Sequence, residues 1–126
     1  MNSPFDGFVA VVDDDPSVRR ALTRLLRSVG VPCLTHDSGS EFLASPKLHD
    51  FDCLILDVHM PELTGIEACR QMLTIVKRLP CILMLGDRSR GLRDEALEAG
   101  AAELLEKPVD GRRLVTLLHE LMSTRW

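Results

Sequence analysis

Five short, largely apolar runs alternate along the chain with five segments in which apolar residues recur every three or four positions. The apolar runs occupy residues 8–12, 31–35, 53–56, 81–85 and 102–105. Runs of this kind are typical of parallel strands that are covered on both faces of a sheet. The alternation therefore predicts an α/β protein in which one helix follows each strand.

Residues that favour helix ends mark the limits of the helical segments. We expect helices to begin at Asp15 with Pro16, at Ser38 with Glu41, near Thr64, near Arg90 and after Asp110. Asp and Ser accept hydrogen bonds from the free backbone N–H groups of a first turn, and Pro already has a helical φ. Gly30 and Gly100 are predicted to end the first and fourth helices, and Pro80 separates the third helix from strand four.

The order of the elements also predicts the topology. Right-handed crossovers turn a β-α repeat into a doubly wound parallel sheet, and five strands fit the flavodoxin-like (βα)5 order 2-1-3-4-5. Functional groups of such folds lie at the carboxyl ends of the strands. Because the chain has 126 residues and no internal linker or repeat, residues 1–126 are expected to form a single domain.

Carboxylates follow two of the predicted strands. Strand one is followed by Asp13, Asp14 and Asp15, and strand three by Asp57. Asp15 is expected to cap the first helix, because Asp followed by Pro is a common helix start. Asp13, Asp14 and Asp57 are expected to converge at the edge of the sheet, where their repulsion favours a hard divalent cation. Few protein ligands with room for water indicate Mg²⁺.

A lysine is expected at the same edge. Strand five leads into Lys107, which brings one ammonium group towards the carboxylates from the other side. A lone Lys is usually solvated, but here it would face a carboxylate and its metal. Positioning and charge neutralisation of this kind are what phosphoryl transfer requires.

Composition narrows the function further. A net charge of −4 argues against a polybasic surface, so we expect no direct binding of nucleic acid. No secretory signal and no apolar stretch of about 20 residues is found, so we expect a cytoplasmic protein without membrane contact.

The cysteines and histidines are scattered along the chain. The cysteines are expected to be buried free thiols, and the histidines to be ordinary surface residues. These are Cys33, Cys53, Cys69 and Cys81, and His36, His49, His59 and His119.

Four motifs resemble those of the CheY-like receiver family, and more closely the receivers of FixJ-like two-component regulators. They are residues 11–16 (VVDDDP), 56–65 (LDVHMPELTG), 98–101 (EAGA) and 106–108 (EKP). The resemblance spans about residues 8–122. It implies a signalling module that is not an enzyme and accepts a phosphoryl group in a Mg²⁺-dependent reaction.

The resemblance also assigns roles. It implies that Asp57 is the phosphoacceptor, and that Asp13 and Asp14 hold Mg²⁺ directly or through water, together with Asp57 and the backbone carbonyl of His59. Lys107 would pair with Asp57 or the phosphoryl oxygens, and the peptide bond after Lys107 would be cis.

The resemblance implies partners as well. The phosphodonor would be a sensor histidine kinase or a histidine phosphotransfer protein, and helix four, strand five and helix five offer a surface for a homodimer. FixJ-like receivers usually precede a helix-turn-helix domain. The chain reaches Trp126 just after helix five, so we expect no output domain in it.

Two positions depart from the family pattern. Leu85 stands where receivers have a Thr or Ser at the end of strand four, and Leu104 where they have a Tyr or Phe. Either the two leucines fill the core or the output switch is rewired. The alternative function is a degenerate receiver that binds partners without phosphorylation. A haloacid-dehalogenase-type phosphatase is disfavoured because His59 replaces its second Asp.

Overall fold

The computed structural model describes residues 7–123, and its centre is a five-stranded parallel sheet. The strands are β1 Val9–Val12, β2 Cys33–His36, β3 Cys53–Asp57, β4 Cys81–Leu85 and β5 Glu103–Glu106. Their order is β2-β1-β3-β4-β5, as predicted. The ends of the predicted domain, residues 1–6 and 124–126, lie outside the described residues.

Within residues 7–123, five α-helices and two short 3₁₀ helices follow the strands. The α-helices are α1 Pro16–Ser28, α2 Gly39–Leu43, α3 Gly65–Ile75, α4 Arg93–Glu98 and α5 Gly111–Ser123, and the 3₁₀ helices are Leu48–Asp50 and Asp87–Leu92. The predicted caps form: the side chains of Asp15 and Ser38 accept hydrogen bonds from backbone N–H groups of α1 and α2. Thr64, near which the third helix was expected to start, caps α3 in the same way. The sequence therefore located these three helix starts.

The start of the fourth helix was predicted too early. We expected α-helix from residue 90, but residues 87–92 form a 3₁₀ helix and α4 begins at Arg93. The Ser89 hydroxyl accepts a hydrogen bond from the Gly86 N–H at 2.8 Å, which stabilises the tighter turn. Gly91 lies within the same segment and disfavours α-helix.

The sheet is covered unevenly. Every residue of β1, β3 and β4 is buried, whereas in β2 only His36 is buried and Leu34 is 38% exposed. In β5 only Leu105 is buried. The prediction that all five strands are covered on both faces is therefore wrong for the edge strands β2 and β5. Strand β2 begins two residues later than predicted, and β5 begins one residue later.

Two apolar clusters, one on each face of the sheet, form the core. One includes Phe42, Leu56 and Met72 beneath α2 and α3, and the other includes Leu26 and Leu117 of α1 and α5. The four cysteines are free thiols; three are buried as predicted, and Cys33 is half-buried. With both faces packed, the carboxyl ends of β1, β3 and β5 form the polar edge on which the site lies.

Candidate functional site

Three carboxylates meet at the carboxyl edge of the sheet. Val12 of β1 lies opposite Leu56 of β3, so the next residues, Asp13 and Asp57, emerge side by side. Oxygen atoms of Asp13, Asp14 and Asp57 all lie within 4.8 Å of one another. Asp13 is fully buried and Asp57 is 4% exposed, whereas Asp14 is exposed. The structure thus brings together the carboxylates that the sequence singled out.

Lys107 bridges the two buried carboxylates. Its Nζ lies 2.9 Å from Asp13 Oδ2 and 3.2 Å from Asp57 Oδ1. The Lys107 backbone N–H donates to the Leu85 carbonyl at 2.8 Å, which holds the start of the β5–α5 loop against β4. The peptide bond between Lys107 and Pro108 is cis. The expected contact with Asp57 is present, and the contact with Asp13 is additional.

The charges at the site are unbalanced. Burial and the neighbouring charge of Asp13 raise the pKa of Asp57, and Lys107 opposes this rise without cancelling it. Burial lowers the pKa of Lys107, but its bond to Asp13 and the charge of Asp57 outweigh burial, so the pKa is raised overall. The ammonium group of Lys107 bonds only two of the three clustered carboxylates, which favours a further cation.

The backbone around Asp13 is held from several directions. Its N–H donates to the His36 carbonyl at 3.1 Å, and its Oδ1 accepts from the Asp15 N–H at 2.9 Å. Its carbonyl oxygen accepts from Arg19 Nη1 at 2.7 Å. The sequence analysis did not single out Arg19, which lies one turn into α1. These bonds place the Asp13 carboxylate beside Lys107.

The loop after β3 folds back tightly over the site. The Gly65 N–H donates to the Val58 carbonyl at 2.9 Å, and a Cβ on Gly65 would lie 2.0 Å from the Asp57 carbonyl oxygen. Only glycine permits this approach. Glu62 in the same loop has a φ of 66°. The backbone of His59 also hydrogen-bonds Asp57. The predicted role of the His59 carbonyl stays a prediction.

The expectation that all histidines lie at the surface is wrong for His36. His36 is 7% exposed, and its ring packs edge-on against Phe42 and Phe51 at centroid distances of 5.7 and 6.0 Å. Its Nδ1 has no hydrogen-bond partner among the described residues. The reason is positional: His36 ends β2 and faces the aromatic cluster. The side chains of His49, His59 and His119 are exposed.

Leu85 and Leu104 belong to the core. Leu85 is fully buried in the apolar cluster beneath α2 and α3, and Leu104 is half-buried against the same cluster. Neither side chain offers a hydrogen-bond donor. Both side chains fill the core, and whether the output switch is rewired stays a prediction.

The donor set determines which metal suits the carboxylate cluster. Its side-chain donors are carboxylate oxygens from Asp13, Asp14 and Asp57, and no His or Cys belongs to this cluster. Zinc sites usually include such nitrogen or sulfur ligands, whereas Mg²⁺ takes one or two carboxylates and retains water. The residues present therefore fit Mg²⁺.

Comparison with known proteins identifies the family. Residues 9–119 match the response regulator receiver domain. The chain belongs to this family. It is a receiver domain of the kind found in two-component response regulators, which are signalling modules. This assignment favours the receiver over the phosphatase alternative.

The receiver has close relatives among transcriptional regulators. It is 36% identical over 107 residues to the transcriptional regulatory protein FixJ of Azorhizobium caulinodans, covering 85% of this chain and 51% of that protein. It is 35% identical over 112 residues to FixJ of Bradyrhizobium diazoefficiens, covering 89% of this chain and 55% of that protein. The chain thus spans about half the length of these relatives.

Solved structures show the same fold. Full-length FixJ from B. japonicum superposes with a TM-score of 0.86 at 32% identity, over 95% of this chain and 59% of that one. The chemotaxis protein CheY4 of Vibrio cholerae superposes with a TM-score of 0.83 at 29% identity, over 91% of this chain and 98% of that one.

Within residues 7–123, no helix of the receiver is long and apolar enough to cross a membrane.

Proposed function

We propose that this receiver accepts a phosphoryl group on Asp57 from a phosphohistidine of a sensor histidine kinase or a histidine phosphotransfer protein. The observation that carries the proposal is the bridge from Lys107 to two buried carboxylates at the strand ends. A nucleophile, a fixed positive charge and hard metal ligands are thereby assembled at one edge of the sheet.

The transfer is a substitution at phosphorus. A bond forms between an Asp57 carboxylate oxygen and phosphorus while the bond from phosphorus to the histidine nitrogen breaks, and the imidazole keeps the electron pair. Lys107, 3.2 Å from Asp57 Oδ1, stabilises negative charge as the phosphoryl group arrives. Apart from the Asp57 nucleophile, the protein contributes mainly positioning and charge neutralisation.

A bound Mg²⁺ would neutralise negative charge on the phosphoryl oxygens. Asp14, which is exposed, and Asp57 would hold it directly, together with the carbonyl of His59. Asp13 already bonds Lys107 and the Asp15 N–H, which suits a role through water. Asp13 therefore positions the ammonium group as well as the metal.

Intact mass spectrometry with a small acyl phosphate and Mg²⁺ tests the assignment. The wild-type protein should gain one phosphoryl group, and Asp57→Asn should gain none. Asp94→Asn, which changes an exposed carboxylate on α4, is the matched control and should react like the wild type. Phosphorylation of Asp57→Asn would remove Asp57 from this role.

Signal output is proposed to differ from that of other receivers because Leu85 and Leu104 are aliphatic. A charge-assisted hydrogen bond from a hydroxyl at position 85 would contribute roughly 1.5–3 kcal/mol to the phosphorylated conformation. Without it, amide NMR shifts on phosphorylation should stay near Asp57, and Leu85→Thr should extend them. Wide changes across α4, β5 and α5 in the wild type would contradict this proposal.

A degenerate receiver that acts without phosphorylation is the second candidate. The same two leucines favour it, whereas the bridge from Lys107 to Asp13 and Asp57 favours the phosphoacceptor. A partner that binds the wild type and Asp57→Asn equally, with or without acyl phosphate, would support this candidate instead.

The proposal also covers the cellular location and the oligomeric state of the receiver. The receiver would act in the cytoplasm without binding nucleic acid or membrane directly, consistent with its net charge of −4. A homodimer would form through α4, β5 and α5, where Leu97 is 52% exposed. Sedimentation before and after phosphorylation tests this, and Leu97→Asp should weaken the association.

A further inference from the structure

Helix α1 is strongly basic within an acidic chain. It carries Arg19, Arg20, Arg24 and Arg27 and no carboxylate, although the net charge of the chain is −4. Arg20, Arg24 and Arg27 are spaced four and three residues apart, so they follow one another along one side of the helix. The basic side chains are therefore concentrated on one strip of the surface.

The strip lines an open groove between α1 and β2. The groove has a volume of about 370 Å³ and is lined by the four arginines together with Thr23 and Thr35. A second groove of about 370 Å³ adjoins it, shares Thr23 and Arg27, and continues over Val31, Pro32 and Cys33. Together they form one elongated depression with basic walls, which we call the α1–β2 groove.

The arginines of the groove have little to neutralise them. Arg19 donates to the Asp13 carbonyl, but no ion pair joins Arg20, Arg24 or Arg27 to a carboxylate within residues 7–123. These three side chains are exposed. Like charges one turn apart repel each other, and positive charge near a helix start opposes the helix dipole. Arg27 lies in the last turn, where positive charge suits the helix dipole, but Arg20 and Arg24 gain no such stabilisation, so an anionic ligand would relieve their repulsion.

We propose that the α1–β2 groove binds an acidic helical segment of a partner protein. From Arg20 to Arg27 the groove runs about 10 Å along α1, and carboxylates three and four residues apart on a facing helix match the arginine spacing. Guanidinium groups bind carboxylates through two parallel hydrogen bonds. The half-buried Cys33 and the exposed Pro32 offer apolar contact for the same helix.

The surroundings of the groove favour such a segment over nucleic acid. Pro16 lines the groove, and the exposed carboxylates of Asp14 and Asp15 lie immediately before it. A continuous phosphate backbone would run from the arginines onto these carboxylates and be repelled. A helix with negative charge on one short face meets only the arginines. The proposal is separate from phosphorylation and from the α4, β5 and α5 surface.

A designed peptide tests the proposal. The probe is an alanine-based helix of about 15 residues with three Glu residues spaced four and three apart, and its Gln version is the peptide control. Binding is followed by backbone amide and arginine side-chain NMR shifts at low ionic strength. The Glu peptide should shift signals along α1 and β2, and the Gln peptide should not.

Matched variants locate the binding. The triple variant Arg20→Gln, Arg24→Gln, Arg27→Gln should bind the Glu peptide about tenfold more weakly. The control removes three exposed arginines elsewhere, through Arg78→Gln, Arg88→Gln and Arg93→Gln, and should stay within about twofold of wild type. Triple replacement by Lys should bind with intermediate affinity, because charge remains and paired hydrogen bonds are lost.

Other outcomes would overturn the proposal. Equal weakening in the groove and control variants would mean a response to net charge alone. Tighter binding of single-stranded DNA or inorganic polyphosphate than of the Glu peptide would mean a general polyanion site. Asp57→Asn should bind the Glu peptide like the wild type, so failure of the phosphoacceptor assignment leaves this test intact.

Discussion

Replacing Lys107 by Met should destabilise the metal-free protein by about 2–4 kcal/mol. Two bonds, at 2.9 Å to Asp13 and 3.2 Å to Asp57, are lost from carboxylates that are 0% and 5% exposed at their side chains. Breaking a buried ion pair costs roughly 3–5 kcal/mol because a charge stays buried without a partner. The loss is smaller here, because Lys107 is itself 26% exposed and Asp57, whose pKa is raised, can take up a proton.

Urea unfolding at neutral pH with and without Mg²⁺ measures this loss. Mg²⁺ should restore part of it, since a divalent cation neutralises the same carboxylates and stabilises the folded state by mass action. Lys77→Met, an exposed lysine, is the control and should change stability by less than about 0.5 kcal/mol. A Lys107→Met protein as stable as this control would refute the electrostatic account of the site.

Three further predictions concern the metal, the loop and the pH response. Mg²⁺ affinity, measured by titration without phosphate, should fall more in Asp14→Asn than in Asp13→Asn, because Asp13 is already bonded by the lysine. Gly65→Ala should lower the free energy of unfolding by at least about 2 kcal/mol, whereas Gly91→Ala, whose Cβ meets nothing within 4 Å, should not. Burial lowers the pKa of His36 below 6.5, so the unfolded state binds protons more readily and stability should fall as pH drops below about 6.5. In His36→Phe, urea unfolding should show that this part of the pH dependence is gone.

Local pattern was enough to predict most of the fold. The apolar runs at β1, β3 and β4 and the capping residues Asp15 and Ser38 act over a few neighbouring positions, so they are visible in the chain itself. The exposure of an edge strand could not be predicted from the local pattern. Whether β2 is covered on both faces depends on what packs against it, which periodicity does not record.

The sequence by itself also predicted which groups meet at the site, because each lies at or just after the end of a strand and parallel strands end at one edge. These groups are Asp13, Asp14, Asp57 and Lys107. Tertiary structure alone decided how these groups pair. Lys107 reaches Asp13 across 94 residues of sequence, at a distance set by the β5–α5 loop. The burial of His36 and the groove between α1 and β2 likewise depend on how elements pack against one another, which hydrophobic periodicity does not record.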